Sequence, residues 1–409
     1  MGIVVQKYGG SSVATAEHIK AVAERIRRAR EAGSSLVVTV SAMGKQTDRL
    51  LRLAGEVSAD PSPREIDQLL STGELQSVAL LAMALHDRGV PATSLTGPQA
   101  GMKTTGRYGS GVISEIRSER LRQLLGEGQV AIVAGFQGEN ALGDIMTLGR
   151  GGTDTTAVAL AAALRAERCE IYTDVDGVYT ADPRIVPAAR KLDQVSFEEM
   201  LEMSAQGAGV LQVRSVEFGR NHGVRIHVRS SFSYQPGTWV VPEEDIVENA
   251  IISGVAHDTS ESKLTVQHVP DKPGVAARIF TALADANVNI DMIVQNVSES
   301  GVTDISFTAP RGDTRRATEV LEALAAEVGA GGVLVDEDVA KVSLVGAGMK
   351  THPGVAARMF TALSDAGVNI EMISTSTIRV SVVVASEQVE TAVRAVHDAF
   401  DLAGDATGA

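Results

Sequence analysis

Three stretches concentrate the residue types that handle anions. Lys7-Tyr8-Gly9-Gly10-Ser11-Ser12 follows a short apolar run. Glycines let the backbone approach an anion closely, successive N–H groups form a cradle, and Lys7 adds a full charge. The same residues also suit a plain strand-turn-helix junction with an exposed lysine. The segment is neither a Walker A loop nor a dinucleotide fingerprint, because both spacings are absent. Leu148-Gly149-Arg150-Gly151-Gly152-Thr153-Asp154-Thr155-Thr156 runs into the alanine-rich VALAAALRA. Glycines at a helix N-terminus leave N–H groups facing outward, the helix dipole favours an anion there, and Arg150 suits a carboxylate. Asp154 is either a helix cap or part of that site. In Tyr172 to Arg184, YTDVDGVYTADPR, polar groups crowd the end of an apolar strand, although Asp-Gly and Asp-Pro also favour turns.

Weaker candidates share that placement. Ser41-Ala42-Met43-Gly44 with Thr47 follows a strand, Thr72-Gly73-Glu74 is expected just ahead of a helix, and Gly135-Phe136-Gln137-Gly138 follows another strand. In open α/β sheets ligands sit at the carboxyl ends of strands, so the common placement counts for more than any one motif.

The positioning elements read as alternating strands and helices. Short apolar runs at 3–5, 36–40, 130–134 and 170–172 are strand candidates. Ile19, Val22, Ala23, Ile26 and Ala29 recur at spacings of three and four, which predicts a helix over about 17–32 that stops at Gly33. Ser196 and Glu199 form a capping-box pattern for a further helix. Strands apolar on both faces and separated by helices indicate a sheet covered on both sides.

The 409-residue chain is 44% hydrophobic and 22% charged, ordinary values for a globular protein. Its net charge of -14 argues against a nucleic-acid partner. No apolar run reaches the roughly 18 residues of a membrane span. The start lacks a leader pattern and Cys169 is the only cysteine, so a cytoplasmic protein without disulfides is expected.

Beyond Trp239 the chain repeats itself. PGVAARIFTALADANVNIDMI begins at Pro273 and PGVAARMFTALSDAGVNIEMI at Pro353, with 17 of 21 positions identical. Each unit reads strand, Pro-Gly turn, helix, Val-Asn-Ile strand, strand, helix, the βαββαβ ferredoxin-like pattern. Pro273-Gly274 and Pro353-Gly354 open helices whose free N–H groups suit an α-carboxylate. Asn289-Ile290-Asp291 and Asn369-Ile370-Glu371 supply an acid and carbonyls for an ammonium, or else merely begin a core strand.

KYGGSSV, SAMG, STGE, AGFQG, LGRGGTDTTA, YTDVDGVYTADPR and VRSS, in this order and with the duplicated units, resemble the aspartate kinase family, in particular its lysine- and threonine-controlled bacterial type. The resemblance implies an αβα sandwich amino-acid kinase domain over 1–245 and two ACT domains over 262–338 and 339–409. It implies transfer of the ATP γ-phosphate, with Mg²⁺, to the β-carboxylate of L-aspartate, and no resident metal site. Lys7 and Asp154 would be catalytic. Ser41, Thr47, Glu74, Arg150, Gly151, Gly152 and Thr153 would bind aspartate, Glu74 holding its ammonium and Arg150 its α-carboxylate. Lys7, Tyr8, Gly9, Gly10, Ser41, Thr173, Asp174, Tyr179, Asp182, Pro183 and Arg184 would bind ATP.

The same resemblance implies feedback by lysine, threonine or both, and at least a homodimer through the ACT domains. Asp271, Gly274, Ala276, Asn289, Asp291, Gln295, Ser298, Asn369, Ile370 and Ser376 would bind effectors. A separate regulatory subunit would need a valine start, at Val241 or Val247, since no methionine lies between Met203 and Met292. One departure stands out: Gly209 occupies the place of a family lysine that reaches the nucleotide, and Arg214 is a candidate substitute. The competing readings are a kinase of the same fold acting on glutamate, acetylglutamate, carbamate or a nucleotide monophosphate, and an amino-acid sensor with a decayed front domain.

Overall fold

The structure, a computed structural model, describes residues 2–246, 250–296 and 301–404. It divides into two compact units, described separately. The first contains Met1–Val178, Lys191–Ser204 and Gly209–Val247; the second contains Tyr179–Arg190, Ala205–Ala208 and Glu248–Ala409.

The first unit is built on an eight-stranded sheet. Its spatial order is Gln194–Ser196, Thr238–Val241, Ile226–Ser230, Arg168–Thr173, Ile3–Tyr8, Ser35–Val40, Val130–Ala134 and Ala92–Leu95. The six strands from Ile226–Ser230 to Ala92–Leu95 are parallel, and Thr238–Val241 turns antiparallel at one side. Parallel strands need both faces covered, which is why they read as continuous apolar runs. Helix Ala16–Glu31 covers one face with Ile19, Val22, Ala23 and Ile26, joined by Val78, Leu81 and Leu85 of helix Pro63–His86. Helix Gly152–Leu164 packs on the central strands and is buried along nearly its whole length. Its alanines admit that close approach.

The expected strands and the first helix are present with small extensions, and the capping box forms. Ser196 N–H donates to Glu199 Oε2 and Glu199 N–H to Ser196 Oγ, each at 3.2 Å, opening helix Phe197–Ala205. A second sheet in this unit joins Ser110–Ile116, Met102–Arg107, Gln137–Glu139 and Ile145–Thr147.

The second unit holds two four-stranded antiparallel sheets. The first orders Ile293–Gln295, Val302–Pro310, Glu261–Pro270 and Gly332–Asp336, with helices Val275–Asp285 and Thr314–Val328, as βαββαβ predicts. The second departs from prediction. Its strands Val339–Val345, Met372–Thr375 and Arg379–Ala385 lack a following fourth strand among the described residues. That position is taken by Gly254–Asp258, antiparallel to Val339–Val345, from ahead of the first repeat. A sheet edge accepts any strand of suitable register, and sequence order does not constrain which one. The Val-Asn-Ile triplets are also not strands: 288–290 and 368–370 are loops leading into Ile293–Gln295 and Met372–Thr375.

The two repeats meet through Met292, Val294, Val339, Met372 and Val383. Around this apolar patch the acids and lysines cross over. Lys263 Nζ lies 2.9 Å from Glu371 Oε2. Lys341, 2% exposed, pairs with Asp291 and, at 2.8 Å, with Glu261 Oε1.

The motif segment Tyr179–Arg190 belongs to this second unit. Ala181, Ile185 and Val186 join the second repeat's core with Val393, Val396 and Leu402. Thr180 Oγ1 donates to the Leu402 carbonyl at 3.0 Å and sits 3.0 Å from His397 Nε2.

Candidate active site

Lys7, on the strand Ile3–Tyr8, ends 2.5 Å from Asp154 Oδ1 in the first turn of Gly152–Leu164. Asp154 is therefore more than a cap: its side chain reaches across to the neighbouring strand end. Both side chains are nearly buried, 12% and 10% exposed, yet both line a cavity of about 270 Å³. The other walls are Gly10, Ser41, Ala42, Gly44, Thr47, Glu74, Phe136 and residues 149–153. The whole expected aspartate set, Ser41, Thr47, Glu74, Arg150, Gly151, Gly152 and Thr153, thus surrounds one space.

The glycines matter where backbones touch. A Cβ on Gly10 would come within 2.9 Å of the Ala42 carbonyl oxygen, and Gly44 N–H donates to the Gly10 carbonyl at 3.0 Å. The two strand-end loops are thereby stitched together.

Thr72-Gly73-Glu74 does not precede a helix; it lies inside Pro63–His86. Gly73 serves close packing there, since a Cβ would meet Ala42 Cβ at 2.8 Å. That approach lets the Ala42 N–H donate to Glu74 Oε1 at 3.0 Å. Glu74 Oε2 is buried with no hydrogen-bond partner among the described residues. Burial raises the Glu74 pKa to about 7, opposed by the bond from Ala42. A buried carboxylate with one oxygen unsatisfied at a cavity wall is suited to a ligand's ammonium.

The expected nucleotide residues are distributed otherwise. Lys7, Gly10 and Ser41 line the cavity; Tyr8 is buried beneath it, its ring stacked on Tyr172 at 4.6 Å. Gly9 sits beside Lys7, a Cβ there lying 3.3 Å from Nζ. Thr173 ends its strand and its hydroxyl donates to the exposed Asp174 at 3.0 Å. Tyr179, Asp182, Pro183 and Arg184 group with the second unit. Arg184 grips Asp182 with Nε at 3.0 Å and Nη2 at 2.6 Å, holding the Asp182 carboxyl below its ordinary range.

Arg214, the candidate substitute for the family lysine absent at Gly209, has its guanidinium engaged by backbone carbonyls. Its Nη1 donates to the Leu148 carbonyl and its Nη2 to the Gly111 carbonyl, each at 3.0 Å. Sequence reading also missed Asp67, fully buried on Pro63–His86. Its carboxylate accepts from the Gly109 N–H at 2.9 Å and from the Thr147 N–H and hydroxyl at 2.9 and 2.6 Å. An acid in a helix pattern gives no signal that its partners lie 42 and 80 residues away.

In the repeats, Gly274 caps Val275–Asp285 with φ 92° and Gly354 caps Val355–Asp365 with φ 97°. Asn369 and Ile370 line an open groove of about 400 Å³ with Phe360, Ser364, Gly367 and Val368. Asp271, Asn289, Gln295 and Ser376 are exposed, and Ala276 is half-buried against its own core. Asp291 is engaged by Lys341. Ser298 and Val247 lie outside the described residues.

Residues 2–230 match the Amino acid kinase family, and residues 263–329 and 342–400 each match an ACT domain. These define the class: an amino-acid kinase with two ACT domains behind it. The chain is 58% identical to an aspartokinase of Mycolicibacterium smegmatis, over 99% of this chain and 97% of that protein. Two solved structures of E. coli aspartokinase III, each 28% identical, cover 97% of this chain and 99% of theirs. The complex with aspartate and ADP (R-state) has a TM-score of 0.84, and the complex with lysine and aspartate (T-state) 0.75. The chain belongs to the aspartokinase family. Among the described residues no helix is long and apolar enough to cross a membrane.

Proposed function

We propose that the cavity beside Lys7 and Asp154 is where an oxygen of the L-aspartate β-carboxylate attacks the γ-phosphorus of ATP. The P–O bond to the β-phosphate breaks, giving 4-phospho-L-aspartate and ADP. The observation that carries this reading is the unsatisfied Glu74 Oε2 in the same cavity as Arg150 and the Lys7–Asp154 pair. Glu74 would take the ammonium and Arg150 the α-carboxylate, leaving the β-carboxylate toward Lys7. A carboxylate is already a nucleophile, so the barrier is mainly the approach of two anions. Lys7, the Gly9-Gly10 amides and the N-terminus of Gly152–Leu164 offset that repulsion.

Among the described residues no three His, Cys, Asp or Glu side chains converge on one point. Mg²⁺ would be carried in on the nucleotide phosphates, since this ion binds through one or two carboxylates plus phosphate and water. Asp154 is the cavity carboxylate that would face it, and the bound ion would neutralise phosphate charge.

Purified protein supplied with ATP, Mg²⁺ and aspartate should release ADP in a coupled assay. ADP release with glutamate but not aspartate would move the assignment to another kinase of the fold.

The ACT domains regulate the enzyme, and lysine and threonine are the proposed effectors, bound where the first repeat of one chain meets the second of its partner. The groove at Asn369 and Ile370 and the bare helix starts at Gly274 and Gly354 support it. Effector binding would favour one arrangement of the paired repeats that disfavours catalysis. Ser376→Phe, on an exposed turn, should abolish inhibition and spare the uninhibited rate. A wild-type rate unmoved by millimolar lysine and threonine, with no heat of binding, would defeat this assignment. Light scattering should give at least a dimer; a mass near 42.8 kDa would contradict it.

A further inference from the structure

The loop 148–152 presents Arg150 and glycine residues to the cavity, and it is closed on itself by the Gly152 N–H donating to the Gly149 carbonyl at 3.0 Å. Gly149 and Gly151 adopt φ of 74° and 71°, conformations that glycine reaches freely and also leaves freely. Further support comes from behind. Leu148 N–H donates to the Phe136 carbonyl at 2.9 Å, and the Leu148 carbonyl accepts from Arg214 Nη1 at 3.0 Å. Arg214 Nη2 binds the Gly111 carbonyl at 3.0 Å, so one planar group ties the loop to the strand Ser110–Ile116. Gln212, two residues earlier, backs the same loop: a Cβ on Gly151 would fall 2.1 Å from Gln212 Cγ.

From this geometry we infer that Arg214 is a positioning residue for aspartate binding, acting through the Leu148 carbonyl on the loop that carries Arg150. Two effects follow from one contact. The guanidinium fixes the height of the peptide preceding Gly149, and small displacements of a binding group are costly. It also polarises the Leu148–Gly149 amide, making the Gly149 N–H, at the cavity wall, a stronger donor toward a carboxylate. Lysine cannot reproduce this, because an ammonium lacks the planar fork that spans two carbonyls. Burial lowers the Arg214 pKa from its usual value, as expected of a guanidinium set among carbonyls, but an arginine remains charged.

The inference rests on reading the 148–154 loop as the aspartate site, so two positions are tested together. Arg150→Lys tests the site: its aspartate KM should rise, and an unchanged value would remove the basis of both readings. For Arg214→Ala we expect aspartate KM to rise about 10- to 100-fold, the range of a lost charge-assisted hydrogen bond, with ATP KM within about twofold. Arg214→Lys should fall between wild type and Arg214→Ala. Arg214 lines a cavity of about 160 Å³ with Val112, Thr155, Glu217 and Asn221, so added guanidinium has room to re-enter. Low millimolar guanidinium should lower the aspartate KM of Arg214→Ala and leave wild type unmoved. If Arg150→Lys raises aspartate KM while both Arg214 variants keep wild-type KM values, or lose only thermal stability, the positioning role is overturned.

Discussion

Two lysines sit largely out of solvent against carboxylates, in different surroundings. Lys7 faces one acid, Asp154, across a cavity that leaves both accessible to a ligand. Lys341 faces two, Glu261 and Asp291, with 2% of its side chain exposed. Each ammonium has three protons to place. Around Lys7 the protein supplies one carboxylate and leaves space; around Lys341 it supplies two. Burial opposes the Lys341 charge, yet the two acids outweigh it and hold the pKa above the ordinary lysine value. An ion pair with room beside it is poised for chemistry, and one closed on all sides is an internal tie. Lys263, the counterpart of Lys341 in the first repeat, is the intermediate case, paired with Glu371 at 22% exposure.

Replacing each lysine should separate these roles. Lys7→Ala should lower kcat by about 10³-fold, the scale of losing a donor to transition-state charge, with the circular-dichroism spectrum retained. An unchanged kcat would make Lys7 structural. Lys341→Met should leave uninhibited kcat within about twofold but destabilise the repeats by about 1–3 kcal/mol, because it strands the nearly buried Glu261 while Asp291, 32% exposed, can turn to water. Urea titration reads that loss. Since the Lys341 pKa is raised, its contribution is full below about 10.4, the unfolded value, and fades as pH rises through the folded one.

The third test concerns Glu74. Burial raises its pKa to about 7, so below that pH it is protonated and no longer attracts an ammonium. Aspartate KM should climb about tenfold per unit as pH falls below 7 and level off above, by the linkage of one proton to binding. Glu74→Gln should flatten this profile and raise KM throughout. The same raised pKa means that ionising Glu74 costs stability as pH rises from its unfolded value to about 7. Glu74→Gln should therefore raise Tm at pH 8, and a lowered Tm would contradict the unsatisfied carboxylate. The smallest effect is expected at Lys263→Met, under about 1 kcal/mol, because solvent already screens its pair.

Much of this molecule follows from local pattern. The parallel strands were legible because burial on both faces demands unbroken apolar runs. The loops that line the cavity were legible because glycine, lysine, arginine and acid fell at strand ends. The two ferredoxin-like units were legible as a repeat. What the sequence could not display depends on partners far along the chain. The resemblance assigns Glu74 to the ammonium, but the sequence sets it ahead of a helix; that it lies inside one, held close to a strand-end loop, emerges only when Gly73 lets Ala42 close on it. Arg214 reads as a free cation until folding brings the carbonyls 66 and 103 residues away onto its guanidinium. The second repeat's missing strand comes from Gly254–Asp258, since pairing at a sheet edge does not depend on order along the chain. Residue types and spacing determined the elements and the chemistry on offer; tertiary structure decided which charges stay open to a ligand and which are consumed by the fold. The reason is that local conformational preference acts between near neighbours in sequence, whereas desolvation and ion pairing depend on what packs nearby in space.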